Sequence, residues 1–160
     1  NTTGAQVSGG NPSKYFRDIN STTFSVGDDV SVNENGDSYI SYCFHSVDGY
    51  SKVGSYVGNG SADGPFVDCG FRPAFVMVKR TDAGGGWHIL DNKRASPFNE
   101  IEVRIEADNS DAENTGGPPD TDLVSNGFKL RTTFDNMNAS GGTYIFLAFA
   151  ETPFKFSNAR

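Results

Sequence analysis

Apolar residues in this 160-residue chain come in short bursts cut by glycine, proline, asparagine and aspartate, a spacing that predicts strands. From Thr22 onward, strand-like runs are expected over residues 23–26, 38–45, 53–57, 73–80, 86–91, 101–107, 127–133 and 143–150. The run Ala74-Phe75-Val76-Met77-Val78-Lys79 follows Pro73 and is apolar on both parities until its lysine, which predicts a central strand covered on both faces. In Ile101-Glu102-Val103-Arg104-Ile105-Glu106 apolar and charged residues alternate, as they do on a strand with one face on the core and the other in water. Residues 108–115 could close a helical turn, which Gly116-Gly117-Pro118-Pro119 would end. Residues 1–20 show little periodicity and much Gly, Ser, Thr and Asn, so they read as an extended arm that gains order by docking.

The chain also resembles itself. Asn33-Glu34-Asn35-Gly36-Asp37-Ser38-Tyr39-Ile40-Ser41-Tyr42-Cys43-Phe44 matches Asn138-Ala139-Ser140-Gly141-Gly142-Thr143-Tyr144-Ile145-Phe146-Leu147-Ala148-Phe149, with Asn, Gly, Tyr, Ile and Phe at a constant offset. Upstream, Thr23-Phe24-Ser25-Val26 matches Gly127-Phe128-Lys129-Leu130 after one residue of slippage. The shared content is a hairpin whose second strand sets Ile40, Tyr42 and Phe44, or Ile145, Leu147 and Phe149, on one face to be buried. An offset of domain length predicts the end of one repeat followed by a whole one. Residues 1–22 are then the arm, residues 23–50 the closing hairpin of a preceding repeat or part of the same sandwich, and residues 51–160 a complete module.

Composition narrows the classes. Nineteen glycines, thirteen phenylalanines and six tyrosines suit short aromatic strands joined by tight turns. The expected fold is all-β, an antiparallel β-sandwich of jelly-roll or concanavalin-like type with an extended N-terminal arm. A net charge of −7 with scattered basic residues disfavours nucleic acid and anionic membranes as partners, since both require a positive face. No stretch approaches the roughly 18 consecutive apolar residues of a membrane helix, and no signal-peptide pattern opens the chain. A start at Asn1 without methionine reads as a processed product or a part of a longer polypeptide.

Candidate chemistry is sparse. Glu100, Glu102 and Glu106 are the nearest approach to paired glycosidase carboxylates, and a solvated strand face accounts for the same spacing. His45 and His88 are the two histidines, too few for a multi-histidine metal cluster, and each reads as an ordinary strand residue. Gly84-Gly85-Gly86 reads as a turn before Trp87 rather than a phosphate loop. Asn59 and Asp63, in a glycine-rich loop, could offer oxygens to Ca²⁺, while a turn needing positive φ explains the same glycines. Trp87 near Asp91, Asn92 and Arg94 has the makings of an aromatic sugar platform beside planar polar groups. Cys43, in an apolar pattern, reads as a buried free thiol, and a disulfide with Cys69 is the alternative. Sequons begin at Asn1, Asn20, Asn59 and Asn138, as such a composition makes common.

Several blocks carry a family resemblance: residues 39–44, 54–64, 70–82, 87–94, 123–131 and 139–160. They resemble a repeated domain of uncharacterised function in tailed phages and prophages, especially marine ones, and the likeness covers most of residues 23–160. It implies a tandem β-sandwich module at the C-terminal end of a virion component such as a tail fibre, in a structural or host-recognition role. No catalytic residues come with it. Val124 and His88 depart from it, standing where bulkier or more aromatic residues are expected. The expected product is a non-enzymatic building block on a virion or extracellular particle. Its partners would be other copies of itself, other virion proteins and host-surface carbohydrate, through weak contacts multiplied by repeated subunits. A capsid decoration or other assembly-stabilising subunit is the alternative, and a carbohydrate-active enzyme a more distant one.

Overall fold

The computed structural model describes residues 14–94, 99, 101–114 and 121–153. Chain contacts divide it into two compact units, the first ending at Cys43 and the second running from Phe44.

The first unit is small. Strand β1 (Phe16–Arg17) pairs antiparallel with β2 (Ser25–Val26), and the Phe16 and Phe24 rings meet edge to face at 5.5 Å. The connection turns on Asn20, whose Oδ1 accepts from the backbone N–H groups of Thr22 and Thr23. Helix α1 (Val30–Asn33) comes next, capped by the Asp29 carboxylate accepting from the Ser31 N–H. The expected strand over residues 38–45 does not form. Among the described residues this stretch has no sheet pairing, and Tyr39, Ile40, Tyr42 and Phe44 are exposed. The apolar pattern suits a strand, but a strand needs neighbours to satisfy its backbone, and none of the described residues pairs with it. Of the expected arm, residues 1–13 lie outside the described residues, and β1 belongs to its remainder.

The second unit is an all-β, antiparallel sandwich. Its strands are β3 (Ser51–Val57), β4 (Phe66–Asp68), β5 (Pro73–Arg80), β6 (Trp87–Asp91), β7 (Ile105–Glu106), β8 (Thr121–Val124), β9 (Gly127–Leu130) and β10 (Thr143–Ala150). A short helix, α2 (Asp135–Asn138), precedes β10. One sheet runs β3-β10-β5-β6-β7 and the other β4-β9-β8, every pairing antiparallel. The run at 73–80 is a central strand, as its two-faced apolar pattern predicts. Alternation over residues 101–107 yields only two residues of strand, with bridges from Ile101 to Thr121 and from Arg104 to Asn114. The expected helical turn after Asp108 is absent among the described residues, where residues 108–114 form a turn and irregular chain. Strands β4 and β8, three and four residues long, are too short to stand out in the hydropathy pattern.

The core lies between the sheets. Tyr56, Val76, Val78, Leu90, Tyr144, Phe146 and Ala148 face Val67, Leu123, Phe128 and Leu130. Phe128 bridges the layers, its ring 6.0 Å from Tyr56 and 5.3 Å from Phe146, and its full burial contributes about 2–3 kcal/mol. On β10 the buried face is Tyr144, Phe146 and Ala148, the opposite parity to the one expected. Every residue of this strand but Thr143 is apolar or aromatic, so alternation cannot say which face is inside.

Asn138 closes the sandwich end. It is fully buried, and its amide nitrogen donates to the carbonyls of Ser61 and Thr132 and to Asn59 Oδ1, while its Oδ1 accepts from the Asn59 N–H. These bonds pin the loop after β3 and remove Asn138 from consideration as a glycan acceptor. Among the described residues no helix is long and apolar enough to cross a membrane.

Candidate interaction face

Strand register defines an outer face on each sheet. On the three-stranded sheet the outward side carries Phe66, Asp68, Asp122 and Lys129. Ion pairs dress it, Arg131 to Asp122 at 2.6 Å and Lys129 to Asp63 at 2.6 Å. This is an ordinary wet surface.

The five-stranded sheet differs. Val53 pairs with Leu147, Leu147 with Met77, Met77 with Ile89, and Ile89 with Ile105, so one apolar row crosses all five strands on the side away from the core. The row on one side of it runs Ser55, Ile145, Lys79, Trp87, and the row on the other Ser51, Phe149, Phe75, Asp91. Val53 is 42 %, Val57 59 % and Ile145 41 % exposed, Met77, Ile89 and Ile105 are half-buried, and Leu147 is buried at 8 %. At one end Phe149 gathers the rings of Phe44, Tyr50 and Phe75 at 6.0, 5.8 and 5.8 Å. An antiparallel sheet with one wet side alternates apolar and polar residues, whereas this one is apolar on both sides. The two-faced run of β5 announced this, although the face itself needs the register of five strands.

Polar groups cluster at the β6–β7 end. His88 is fully buried, packed edge to face on Phe134 at 5.5 Å, with its Nδ1 3.5 Å from Glu106. Burial, reinforced by the Arg104 charge, lowers the imidazole to about 4, so it is neutral at pH 7 and the Glu106 contact is not an ion pair there. Neither ring nitrogen has a hydrogen-bond partner among the described residues, nor does Asp108 Oδ2. The other Asp108 oxygen accepts from the Trp87 N–H at 2.8 Å, and Glu106 accepts from Asn109. A Cβ on Gly86 would stand 2.6 Å from Glu106 Oε2, so glycine lets the carboxylate lie over the backbone.

The expected site residues do not converge. Glu102 is exposed, Glu106 is engaged with Asn109, and Glu100 lies outside the described residues. Trp87 and Asp91 share the outward face of β6 but stand at its two ends, about 13 Å apart at strand rise. Asp91 is taken up by Arg94 and the backbone N–H groups of Lys93 and Arg94, and Asn92 by Glu151. Trp87 is therefore not joined to the other three as one platform. The Asp63 carboxylate is held by Lys129 and Arg131, the Lys129 hydrogen bond first in keeping it below the usual carboxylate range, and Asn59 Oδ1 accepts from Ser61. Two cations beside Asp63 leave no electrostatic need for Ca²⁺, and the Asn59–Asp63 loop is a self-bonded turn. Among the described residues no group of three metal-binding side chains forms.

Both cysteines are free thiols. Cys69 is the buried one, its thiol pushed up to about 12 chiefly by burial, and Cys43 is exposed, in a stretch that pairs with no strand among the described residues. The expected burial of Cys43 is corrected. His45 lies in the same irregular stretch, its Nδ1 2.9 Å from the Ser46 carbonyl.

An all-β sandwich with one polar and one apolar outer face is the class these elements define. Residues 1–153 match the family described as Domain of unknown function (DUF7483), and the chain belongs to that family. No match was found among the curated proteins or among the solved structures.

Proposed function

We propose that the chain is a non-enzymatic structural module of a virion or other extracellular particle, of tail-fibre or appendage type. It assembles by laying the outer face of its five-stranded sheet on a second β layer. The observation that carries this reading is the apolar row Val53, Leu147, Met77, Ile89 and Ile105 on the side away from the core. A continuous apolar face marks a contact surface, and the ring cluster at Phe149 supplies the aromatic anchors that dominate interface energetics. The resemblance to repeated tailed-phage domains supports a virion setting. A capsid decoration or similar assembly-stabilising subunit would use the same face, and host-glycan contact is a narrower version of the first reading.

Val53→Lys with Ile145→Glu tests the face, because both positions are exposed and the core is untouched. Self-association by light scattering and incorporation into particles, followed with a labelled antibody under the electron microscope, should both fall at least about tenfold, with the melting temperature changed by only a few degrees. Unchanged assembly, or absence of the label from particles carrying the wild-type chain, overturns the proposal. A glycan array on the folded chain that stays blank removes the glycan version alone.

A further inference from the structure

The self-similarity in sequence is also a duplication of hydrogen bonds. Equivalent residues stand 105 positions apart, as from 33 to 138. The Asn33 side chain donates to the Gly27 carbonyl and that of Asn138 to the Thr132 carbonyl. The Tyr39 hydroxyl donates to the Val30 carbonyl and accepts from the Glu34 N–H, while that of Tyr144 donates to the Asp135 carbonyl and accepts from the Ala139 N–H. Asn33 N–H bonds to Asp29 and Asn138 N–H to Phe134, and Asp37 N–H bonds to Glu34 and Gly142 N–H to Ala139. Gly36 and Gly141 both take positive φ, +91° and +74°. Strands β1 and β2 precede this turn as β8 and β9 precede its counterpart, with Phe16 opposite Val26 and Thr121 opposite Leu130.

Only the last element differs. In the second unit the turn delivers β10, paired along its length with β3 on one side and β5 on the other. In the first, residues 38–43 leave the same kind of turn and pair with nothing among the described residues, with Ile40 78 % and Tyr42 79 % exposed. Residues 14–44 thus reproduce the sequence β8, β9, α2, β10 and lack counterparts of β3 to β7.

We infer that residues 38–44 are the closing central strand of a second sandwich. They insert between the β3-like and β5-like strands of a polypeptide that repeats this module's first two-thirds. That partner alone fits, because the slot in this chain's own second unit is filled by β10. The offset sets the faces: Tyr39, Ser41 and Cys43 point into the partner's core as Tyr144, Phe146 and Ala148 do here, and Ile40, Tyr42 and Phe44 join its outer face as Ile145, Leu147 and Phe149 do. A strand-like run unpaired among the described residues offers a row of backbone donors and acceptors, and complementation by strand addition pairs them.

The test supplies the missing strands. Residues 44–118 are fused directly ahead of residue 14, which keeps the 105-residue offset, and maleimide labelling of Cys43 is read by peptide mapping. The fusion should label at Cys43 about 100-fold more slowly than the 160-residue chain, with amides 39–43 protected from exchange like amides 144–148, and Ser41→Pro should restore fast labelling. Equal labelling in fusion and chain, with amides 144–148 still protected, overturns the inference, as does slowed labelling that Ser41→Pro leaves unchanged. Should the fusion not fold, residues 38–45 placed over residues 143–150 of the 160-residue chain decide instead: the second unit should still unfold cooperatively with the grafted amides protected, and loss of that cooperative transition overturns the inference. Loss of particle assembly in Val53→Lys with Ile145→Glu does not bear on this result, so the two proposals fail separately.

Discussion

His88 shows how one buried side chain ties this fold to pH. Its imidazole titrates near 4 in the folded chain because burial opposes the charged form, against about 6.5 when unfolded. As pH falls from 6.5 towards 4 the unfolded chain takes up the proton first, so stability is lost on acidification and is fully present above 6.5. Between pH 7 and pH 4 this one group withdraws about 2–3 kcal/mol. Urea unfolding at the two pH values should show that loss in the wild type and a markedly smaller one in His88→Gln. An equal loss in the variant would show that His88 is not its source, because Asp63, Asp82 and Asp91, held below the usual carboxylate value of 3.8, lose their contribution only as pH falls below about 4. Asn138 and Cys69 make the same point without titrating: a polar group is inside here only where bonds meet it or where it stays neutral.

At the scale of elements, the two copies of the Asn-turn-Tyr device share bonds but not surroundings. Tyr144 is fully buried and stacked on Tyr56 at 4.9 Å, whereas Tyr39 is 47 % exposed. Tyr144→Phe strands the buried N–H of Ala139 and should lower stability by about 1–3 kcal/mol, measured by thermal unfolding of the second unit. Tyr39→Phe leaves its partners access to water and should cost under about 1 kcal/mol, seen only as faster exchange in α1. Comparable losses would mean that the first turn is as deeply packed as the second. The turn was legible in sequence because Asn, Gly and Tyr recur at fixed spacing, and each has a local job. The fate of the chain beyond the turn was not legible, since a run such as Tyr39 to Phe44 becomes a strand only where neighbours accept its backbone bonds.

For the whole molecule, two units of unequal depth predict unequal protection. Amides of residues 14–43 should exchange within minutes, while those of β5 and β10 wait for global unfolding, as mass-resolved hydrogen exchange would show. Uniform protection across the chain would refute the division. The all-β class, the central place of β5 and the duplicated turn were open to reading from glycine spacing, two-sided apolar runs and self-similarity. The candidate face was not, because Val53, Met77, Ile89, Ile105 and Leu147 are dispersed over 95 positions of sequence, from 53 to 147, and become one row only through register. The separation of Trp87 from Asp91 and the pairing of Asp63 with Lys129 escaped for a like reason, since proximity in sequence carries neither strand rise nor cross-sheet neighbours.

Sequence by itself determined what local chemistry can hold: where the chain turns, which runs can be strands, and that one closing device occurs twice. Tertiary structure alone decided which side of β10 is buried, which outer face is apolar, and that one copy of the closing strand has partners while the other has none among the described residues. Turns are set by φ and by bonds within a few residues, whereas faces and pairings are set by distant strands competing to cover the same surface.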